Sequence, residues 1–221
     1  MKKEIRRNFL GAGWLLIAFL LWTAAVQRID VQAIGPNGSV VGFAVINRFV
    51  HNLTGVHMSL YTWTDWLGLV PIAAAMGFGL LGLVQWRKRK RLSDVDYDLL
   101  VLGGFYFVVM AAYALFEVFV VNHRPVLIDG ILEASYPSST TVLVLCVMPT
   151  AMMQLRARVK NKLCNRCVTV VIAGFSGFMV VGRLISGVHW CTDIIGGMLL
   201  SAGLVMLYHA VVRMKAGKEP R

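Results

Sequence analysis

The sequence Gly-Arg-Leu-Ile-Ser-Gly-Val-His-Trp-Cys-Thr-Asp runs from Gly182 to Asp193 and separates two long apolar runs. An arginine and a carboxylate are expensive to keep between such runs unless they are used. The spacing of His189 and Asp193 suits one turn of a helix, so the acid can hold one ring nitrogen and leave the other free to attack. Arg183 adds a fixed fork of donors for a phosphate-like oxyanion. The structural alternative is a polar helix cap, with Asp193 near the first turn and His189 in a surface loop.

The composition on either side of this stretch is that of a membrane protein. Hydrophobic residues make up 57% of the 221 residues, and the mean hydropathy is +0.68. A soluble domain of this length has no core large enough to hide so much apolar surface. The formal net charge of +11 would favour nucleic acid only if the basic residues clustered on a soluble face. They lie between apolar runs instead, so no nucleic-acid partner is expected.

Six apolar runs have about the 20 residues that a membrane-spanning helix needs. The sequence therefore predicts an all-α, polytopic membrane protein, with six transmembrane helices in one bundle and residues 1–221 forming a single domain. The first run follows a basic segment and lacks a small-residue cleavage site, so it is read as a retained helix. The runs cover residues 9–27, 66–86, 97–121, 138–155, 167–186 and 192–212.

The distribution of lysine and arginine predicts the orientation. Most of them fall in the amino terminus, in segments 87–91 and 156–166, and in the tail from Arg213. By the positive-inside rule these parts are cytoplasmic, which puts both termini inside and the Gly182–Asp193 stretch outside. The expected location is a cell membrane, specifically the bacterial cytoplasmic membrane. Residues 28–65 then form an external segment, whose apolar spacing predicts a short interfacial helix.

The third run carries Glu117 near its external end, and the sequence His123-Arg124-Pro125 follows. Glu117 and Arg124 are seven residues apart, two turns along one helical face, which predicts a salt bridge or a shared site. An ionisable residue at that depth is a functional candidate. A pair that only locks the helix is the structural alternative.

The fourth run begins with a proline and hydroxyl residues, in the order Pro137, Ser138, Ser139, Thr140. These residues suit a helix start, which alone would explain Ser138. The same helix start can cradle an anion, because free backbone N–H groups and the positive end of the helix dipole point outward. It lies on the same predicted side as Arg124, Arg183 and His189.

The cysteines predict no metal site. Cys164 and Cys167 have the spacing of a metal knuckle, but no second pair accompanies them. Zinc usually needs four such ligands, so reduced thiols and no bound metal are expected.

Three segments, taken together and in this order, resemble the type 2 phosphatidic acid phosphatase family, which is related in site design to vanadium haloperoxidases. The family pattern is Lys-x6-Arg-Pro, then Pro-Ser-Gly-His, then Ser-Arg-x5-His-x3-Asp. The third element is present as Arg183, His189 and Asp193 at the family spacing. The first survives as Arg124-Pro125 and the second as Pro137-Ser138.

The resemblance implies a phosphatase acting on a lipid phosphate at the external face, without metal or other cofactor. His189 would attack phosphorus to give a phosphohistidine, and Asp193 would orient the ring. The phosphoryl oxygens would be held as charge develops. The residues implied for this binding, besides Arg183, are Arg124, Ser138, Ser139 and Thr140.

The chain departs from the family pattern at four positions. Glu117 stands in place of the lysine, Ser139 of the glycine, Thr140 of the histidine that protonates the leaving group, and Gly182 of a serine. A threonine hydroxyl is a poor general acid near neutral pH. One hypothesis is that Glu117, with its pKa raised by burial, or His123 donates the proton instead.

Three functions therefore stay open. The first is a membrane lipid phosphatase that hydrolyses a phosphate monoester or diphosphate of a lipid. The second is a degenerate relative that binds, senses or transports a lipid phosphate without hydrolysis. The third is transfer of the phosphoryl group to an acceptor other than water. Membrane lipids are the expected surroundings, and no particular lipid or oligomeric state is predicted.

Overall fold

The apolar runs of the sequence form long helices in the computed structural model, which describes residues 2–216. Six helical stretches are long and apolar enough to cross a membrane, and one of them is built from two consecutive helices. The described residues contain no extended β-sheet. The prediction of an all-α fold with six spanning helices is confirmed. The helices are α1 (Lys2–Val26), α2 (Ala44–Thr54), α3 (Met58–Leu67), α4 (Leu69–Arg89), α5 (Tyr97–Val118), α6 (Ser139–Arg158), α7 (Lys162–Ile185) and α8 (Cys191–Ala216).

The second span begins earlier than the apolar run indicated. It starts at Met58 and continues through α3 and α4 to Arg89, whereas hydropathy placed its start at residue 66. Polar residues on α3 lower the hydropathy of this segment, so the start of the span was placed too late. One of them, Thr64, is fully buried, and a side chain at Gly182 would lie 2.8 Å from its methyl group. Thr64 therefore faces α7 rather than lipid, so the helix continues where the apolar run does not.

The predicted short helix in the external segment is α2, and it is amphipathic. It buries Ala44 and Asn47, while Val45, Phe49 and Leu53 are exposed along one face. Asn47 ties α2 to the start of α8, because its Nδ2 donates to Thr192 Oγ1 at 3.0 Å. An apolar outer face with a polar inner anchor suits a helix lying at a membrane surface.

Helix α8 runs antiparallel to α1 along most of its length and also contacts α5 and α6. Asn8 Nδ2 lies 3.2 Å from His209 Nδ1, and Arg213 Nη1 lies 2.8 Å from Glu4 Oε1. Both ends of the described chain therefore meet at one end of the bundle. Of the predicted basic tail, Lys218 and Arg221 lie outside the described residues.

The loops rich in lysine and arginine gather at this same end. Arg158 Nη1 lies 2.9 Å from Asp98 Oδ2, which joins the α6–α7 loop to the start of α5. Lys215 Nζ lies 4.6 Å from the centre of the Tyr97 ring, which joins the end of α8 to the same point. We call this the basic end of the bundle, and the opposite one, where α7 meets α8, the site end.

The turn between α7 and α8 depends on one glycine. Gly187 has a φ of +69°, and a Cβ built there would lie 2.0 Å from the carbonyl oxygen of Gly55. His57 N donates to Ser186 O at 3.0 Å in the same contact. The backbone linking α2 to α3 therefore packs directly against this turn, two residues before His189.

We expect Gly187→Ala to destabilise the protein by about 1–3 kcal/mol, because the turn needs a left-handed backbone that a residue with a Cβ adopts only at a cost. The Cβ would also clash with the carbonyl oxygen of Gly55. The measurement is thermal unfolding of the purified protein in detergent. Gly177→Ala is the matched control, since it lies in α7 with no atom within 4 Å of an added Cβ. Equal unfolding temperatures for the two variants would contradict this account of the turn.

Candidate active site

Two arginines, a histidine and an aspartate from the predicted motif come together at the site end. Arg124, Arg183, His189 and Asp193 are all buried, with exposures of 8%, 1%, 3% and 0%. They arrive from the segment after α5, the last turn of α7, the α7–α8 turn and the first turn of α8. His189 is therefore not a surface-loop residue.

Asp193 also stabilises the start of α8. It is the third residue of α8, and its Oδ2 accepts a hydrogen bond from Trp190 N at 2.9 Å. An acidic side chain that reaches back from this position satisfies a backbone N–H at the helix start. The predicted helix-cap position of Asp193 is thus confirmed, and its catalytic role stays a prediction.

Ser135 connects the histidine to the aspartate. His189 Nδ1 lies 3.9 Å from Asp193 Oδ2, too far for a direct hydrogen bond. Ser135 Oγ lies 2.9 Å from His189 Nδ1 and donates to Asp193 Oδ2 at 2.5 Å. A serine that donates to the carboxylate must accept from the ring, so Nδ1 carries the proton. Asn122 Nδ2 donates to the other Asp193 oxygen at 3.1 Å.

The second ring nitrogen of His189 faces two cations. Nε2 lies 3.4 Å from Arg124 Nη1 and 3.3 Å from Arg183 Nη2. Burial lowers the pKa of His189 well below its ordinary value, and repulsion by Arg124 and Arg183 lowers it further. The ring is therefore neutral, with the lone pair of Nε2 directed between two guanidinium groups. We call His189, Arg124, Arg183, Ser135 and Asp193 the His189 cluster.

Helix α3 surrounds the Arg183 guanidinium with three residues of one face. Its carbon lies 4.8 Å from the centre of the Tyr61 ring, and Nη1 donates to Thr64 Oγ1 at 3.4 Å. Nη1 is also 3.8 Å from Asp65 Oδ1. Residues three and four positions apart on a helix share a face, which explains why they converge. Arg183 Nε donates to no described residue, so the group keeps capacity for an anion.

Arg124 and Ser135 reach the cluster on a hairpin of residues 122–135. Arg124 N donates to Glu133 O at 3.1 Å, and Ser135 N to Asn122 O at 2.9 Å. The turn is Asp129-Gly130, with both φ angles positive, the conformation of a tight two-residue hairpin turn. Alternation along the extended backbone sends the Asn122 and Arg124 side chains to one face.

His123 consequently lies on the other face of the hairpin. Its backbone contacts a residue next to the cluster, because the His123 carbonyl accepts a hydrogen bond from Trp190 Nε1 at 2.8 Å. Among the described residues its ring makes no hydrogen bond to the His189 cluster. Its role as proton donor stays a prediction that the hairpin geometry does not favour.

Glu117 and Arg124 do not share a helix, so the predicted pairing between them is wrong. Helix α5 ends at Val118, and Arg124 is 2.9 Å from Glu133 instead, measured from Nε to Oε2. Glu117 is exposed rather than buried, which removes the premise on which its proton donation was predicted. Its side chain lines a neighbouring cavity.

The start of α6 lies beside the cluster without bonding to its ring or its arginines. Ser138 is buried; its N donates to Asp193 O at 3.2 Å, and its Oγ accepts from Thr141 Oγ1 at 3.0 Å. Ser139 and Thr140 face the same cavity as Glu117. Their phosphate-binding role stays a prediction.

The sequence contained a signal for the residues that were missed. Asp-Gly between apolar residues is a strong hairpin signal, and a hairpin turning at Asp129-Gly130 pairs the Asn122 segment with Ser135. The α3 residues had a weaker signal. Thr64 and Asp65 are polar positions next to an apolar run, which is typical of a helix face turned toward protein.

The sequence pattern of the PAP2 superfamily matches residues 88–216, more than half of the chain. The chain belongs to the PAP2 superfamily. A PAP2 protein of known structure has the same fold: the crystal structure of a transmembrane PAP2-type phosphatidylglycerolphosphate phosphatase from Bacillus subtilis is 18% identical, covers 95% of this chain and 98% of its own, and gives a TM-score of 0.57. A comparison with curated proteins gives no match.

The PAP2 match includes the whole His189 cluster but not α3. Tyr61, Thr64 and Asp65 precede residue 88, where the match begins. Family and fold together support a membrane phosphatase, and they confirm the resemblance on which the sequence analysis relied.

We expect Arg124→Gln to raise the pKa of His189 toward its ordinary value near 6.5, because one repelling charge is removed. The measurement is NMR titration of ring-labelled histidine. Since the unfolded ring takes up a proton below about pH 6.5 and the folded one does not, the wild-type fold should also lose stability as pH falls below that value. Arg166→Gln, at the basic end, is the control. An unchanged His189 titration in Arg124→Gln would rule out the charge effect.

Ser135→Ala should release the ring from its single tautomer, because no other residue in the described part of the chain bonds Nδ1 at a normal distance. Ring nitrogen chemical shifts should then report protonation at Nε2 as well as Nδ1. Ser139→Ala serves as the control, since Ser139 lines only the cavity. A pure Nδ1–H tautomer in Ser135→Ala would mean that another group sets the proton.

Proposed function

We propose that this protein is an integral-membrane lipid phosphatase that hydrolyses a phosphate monoester or diphosphate of a lipid through a phosphohistidine at His189. The observation that carries the proposal is the position of His189 Nε2. This unprotonated nitrogen lies 3.4 and 3.3 Å from two buried guanidinium groups. A lone pair beside paired cations is suited to attack on a bound phosphoryl group.

The first chemical step joins Nε2 to phosphorus and breaks the bond from phosphorus to the leaving oxygen. Arg124 and Arg183 hold the non-bridging oxygens, where charge develops in the transition state. The ring becomes cationic, and Asp193 stabilises that charge through Ser135, which keeps the Nδ1 proton in place. Ser138 and the backbone at Ser139 and Thr140 remain proposed contacts for the phosphoryl oxygens.

The second step is hydrolysis of the phosphohistidine. Water forms a bond to phosphorus, the bond to Nε2 breaks, and the ring returns to its neutral form as phosphate leaves. We propose that neither step uses a bound metal ion. The expectation of a metal-independent reaction stays a prediction, and chelator tests it directly.

The proposed orientation follows from the basic end. The lysines and arginines of the loops near Asp98 and Tyr97 gather with both ends of the described chain, and such an end is cytoplasmic by the positive-inside rule. The His189 cluster then lies at the outer face of a cell membrane, in one multi-pass domain. Lipid phosphates can reach it within that leaflet, and membrane lipids are its proposed surroundings.

A second candidate function is binding, sensing or transport of a lipid phosphate without hydrolysis. The observation that favours it is that no acid bonds His189 Nε2: among the described residues, the only hydrogen-bond partners of this atom are the two arginines. Without a proton donor, a simple alcohol leaves poorly. The arginines would still bind phosphate.

Phosphate release from a panel of lipid phosphates decides between these functions. We expect release by the wild-type protein in detergent, with and without chelator, and a loss of about 10⁴-fold or more in His189→Ala. His57→Ala, an exposed histidine at the same end of the bundle, is the matched control. Acid-labile phosphate trapped on wild type but not on His189→Ala would support the intermediate.

The opposite outcomes are equally informative. If the wild-type protein binds a lipid phosphate and releases none, the binding function replaces the enzyme. If a phosphorylated second product accumulates instead of free phosphate, the chain is a phosphotransferase. Turnover that survives in His189→Ala would contradict the nucleophile assignment.

A further inference from the structure

A cavity of about 420 Å³ lies beside the His189 cluster, between α4, α5, α6 and α8. Apolar side chains form most of its wall, including Val109, Phe116, Val142 and Leu200. Its size is within the range of small-ligand pockets. An apolar cavity at the side of a membrane bundle is suited to a lipid chain.

The polar residues of this cavity identify what the lipid must carry at its other end. Glu117, Ser139 and Thr140 line it together with Ser135, and Ser135 bonds to His189 and Asp193. The cavity therefore adjoins the cluster through a shared residue. Glu117 forms no ion pair with any described residue, unlike the carboxylates of Glu133, Asp96 and Asp98.

The charges on the two sides of Ser135 are opposite. On one side Arg124 and Arg183 present cations to a phosphate; on the other, Glu117 presents a single carboxylate in a largely apolar wall. A second phosphate placed near Glu117 would be repelled, whereas an ammonium group would be attracted. A ligand matched to both sides is a lipid with a phosphate and an amine in one headgroup.

We propose that the substrate is a lipid phosphate monoester whose headgroup carries a primary amine near the ester oxygen, and that Glu117 selects it by binding the ammonium group. This inference rests on the proposed phosphatase function and names its substrate class. Glu117 is a specificity-determining residue in this scheme, not a proton donor.

The amine also supplies the acid that the cluster lacks. As Nε2 forms its bond to phosphorus, the bond from phosphorus to the lipid oxygen breaks, and that oxygen takes the electron pair. The ammonium group of the same headgroup gives this oxygen a proton, so the products are a phosphohistidine and a lipid alcohol with a neutral amine. Glu117 holds the ammonium in place for that transfer. Water then releases phosphate as before.

The test measures kcat/KM of the purified protein for three lipids with the same acyl chains. They are an amine-bearing phosphate monoester, its N-acetylated form, and a lipid diphosphate without an amine. We expect kcat/KM for the amine to exceed that for the N-acetylated lipid by about 10²-fold or more, the usual contribution of a general acid. Equal turnover of the two monoesters, or faster turnover of the diphosphate, would overturn the proposal.

Variants of Glu117 separate selection from catalysis. Glu117→Gln should lower kcat/KM for the amine lipid about 10-fold or more, the effect of a lost charged hydrogen bond, and leave the N-acetylated lipid unchanged. Glu117→Lys should shift preference toward the diphosphate. Asp129→Asn removes one exposed charge outside the cavity and should keep the wild-type preference. Uniform loss on every lipid in Glu117→Gln would instead make Glu117 the proton donor and overturn selection.

Failure of the proposed function is distinguishable from failure of this inference. If no lipid releases phosphate, binding of non-hydrolysable phosphonate analogues replaces turnover as the readout. The amine-bearing phosphonate should then bind wild type about 10-fold more tightly than it binds Glu117→Gln. If the two proteins bind that analogue with equal affinity, Glu117 does not bind the amine. This conclusion holds whether or not the protein is a phosphatase.

Discussion

Two guanidinium groups are buried against one neutral imidazole, and the other residues of the site end must compensate for these two buried charges. A buried cation without partners is strongly unfavourable, and Arg183 is 1% exposed. Glu133 lies near Arg124 and Asp65 lies near Arg183. The Tyr61 ring contacts both guanidinium groups. Glu133 comes from the hairpin, whereas Asp65 and Tyr61 both come from α3, so the two elements must be in place together to hold the arginines.

Helix α8 couples stability to chemistry through one carboxylate. Asp193 closes the first turn of the helix by accepting from Trp190 N and holds Ser135 with the same oxygen. Since α8 also packs along α1, the position of the His189 ring depends on the central helix pair of the bundle.

The six spanning helices were predictable from hydropathy because lipid exposure demands continuous apolar surface. The arginines, His189 and Asp193 were predictable because ionisable residues between such runs need a purpose. Ser135 and Asn122 were not found, because their relation to Asp193 depends on pairing across a hairpin. Glu117 was wrongly paired with Arg124 because the helix was assumed to continue past Val118. The α3 contacts arise from tertiary packing, which a hydropathy window does not contain.

Three of the four departures from the PAP2 pattern occur at positions that lie together in the structure. Glu117, Ser139 and Thr140 replace a lysine, a glycine and a histidine of that pattern, and all three line the same cavity. Replacing the lysine alone would place an uncompensated anion beside a phosphate site, and replacing the histidine alone would remove the acid. A cationic amine on the substrate compensates for both replacements, because it neutralises the carboxylate and carries a proton that it can transfer. The arginine side needs no change, because a phosphate monoester makes the same demand on Arg124 and Arg183 whatever its headgroup.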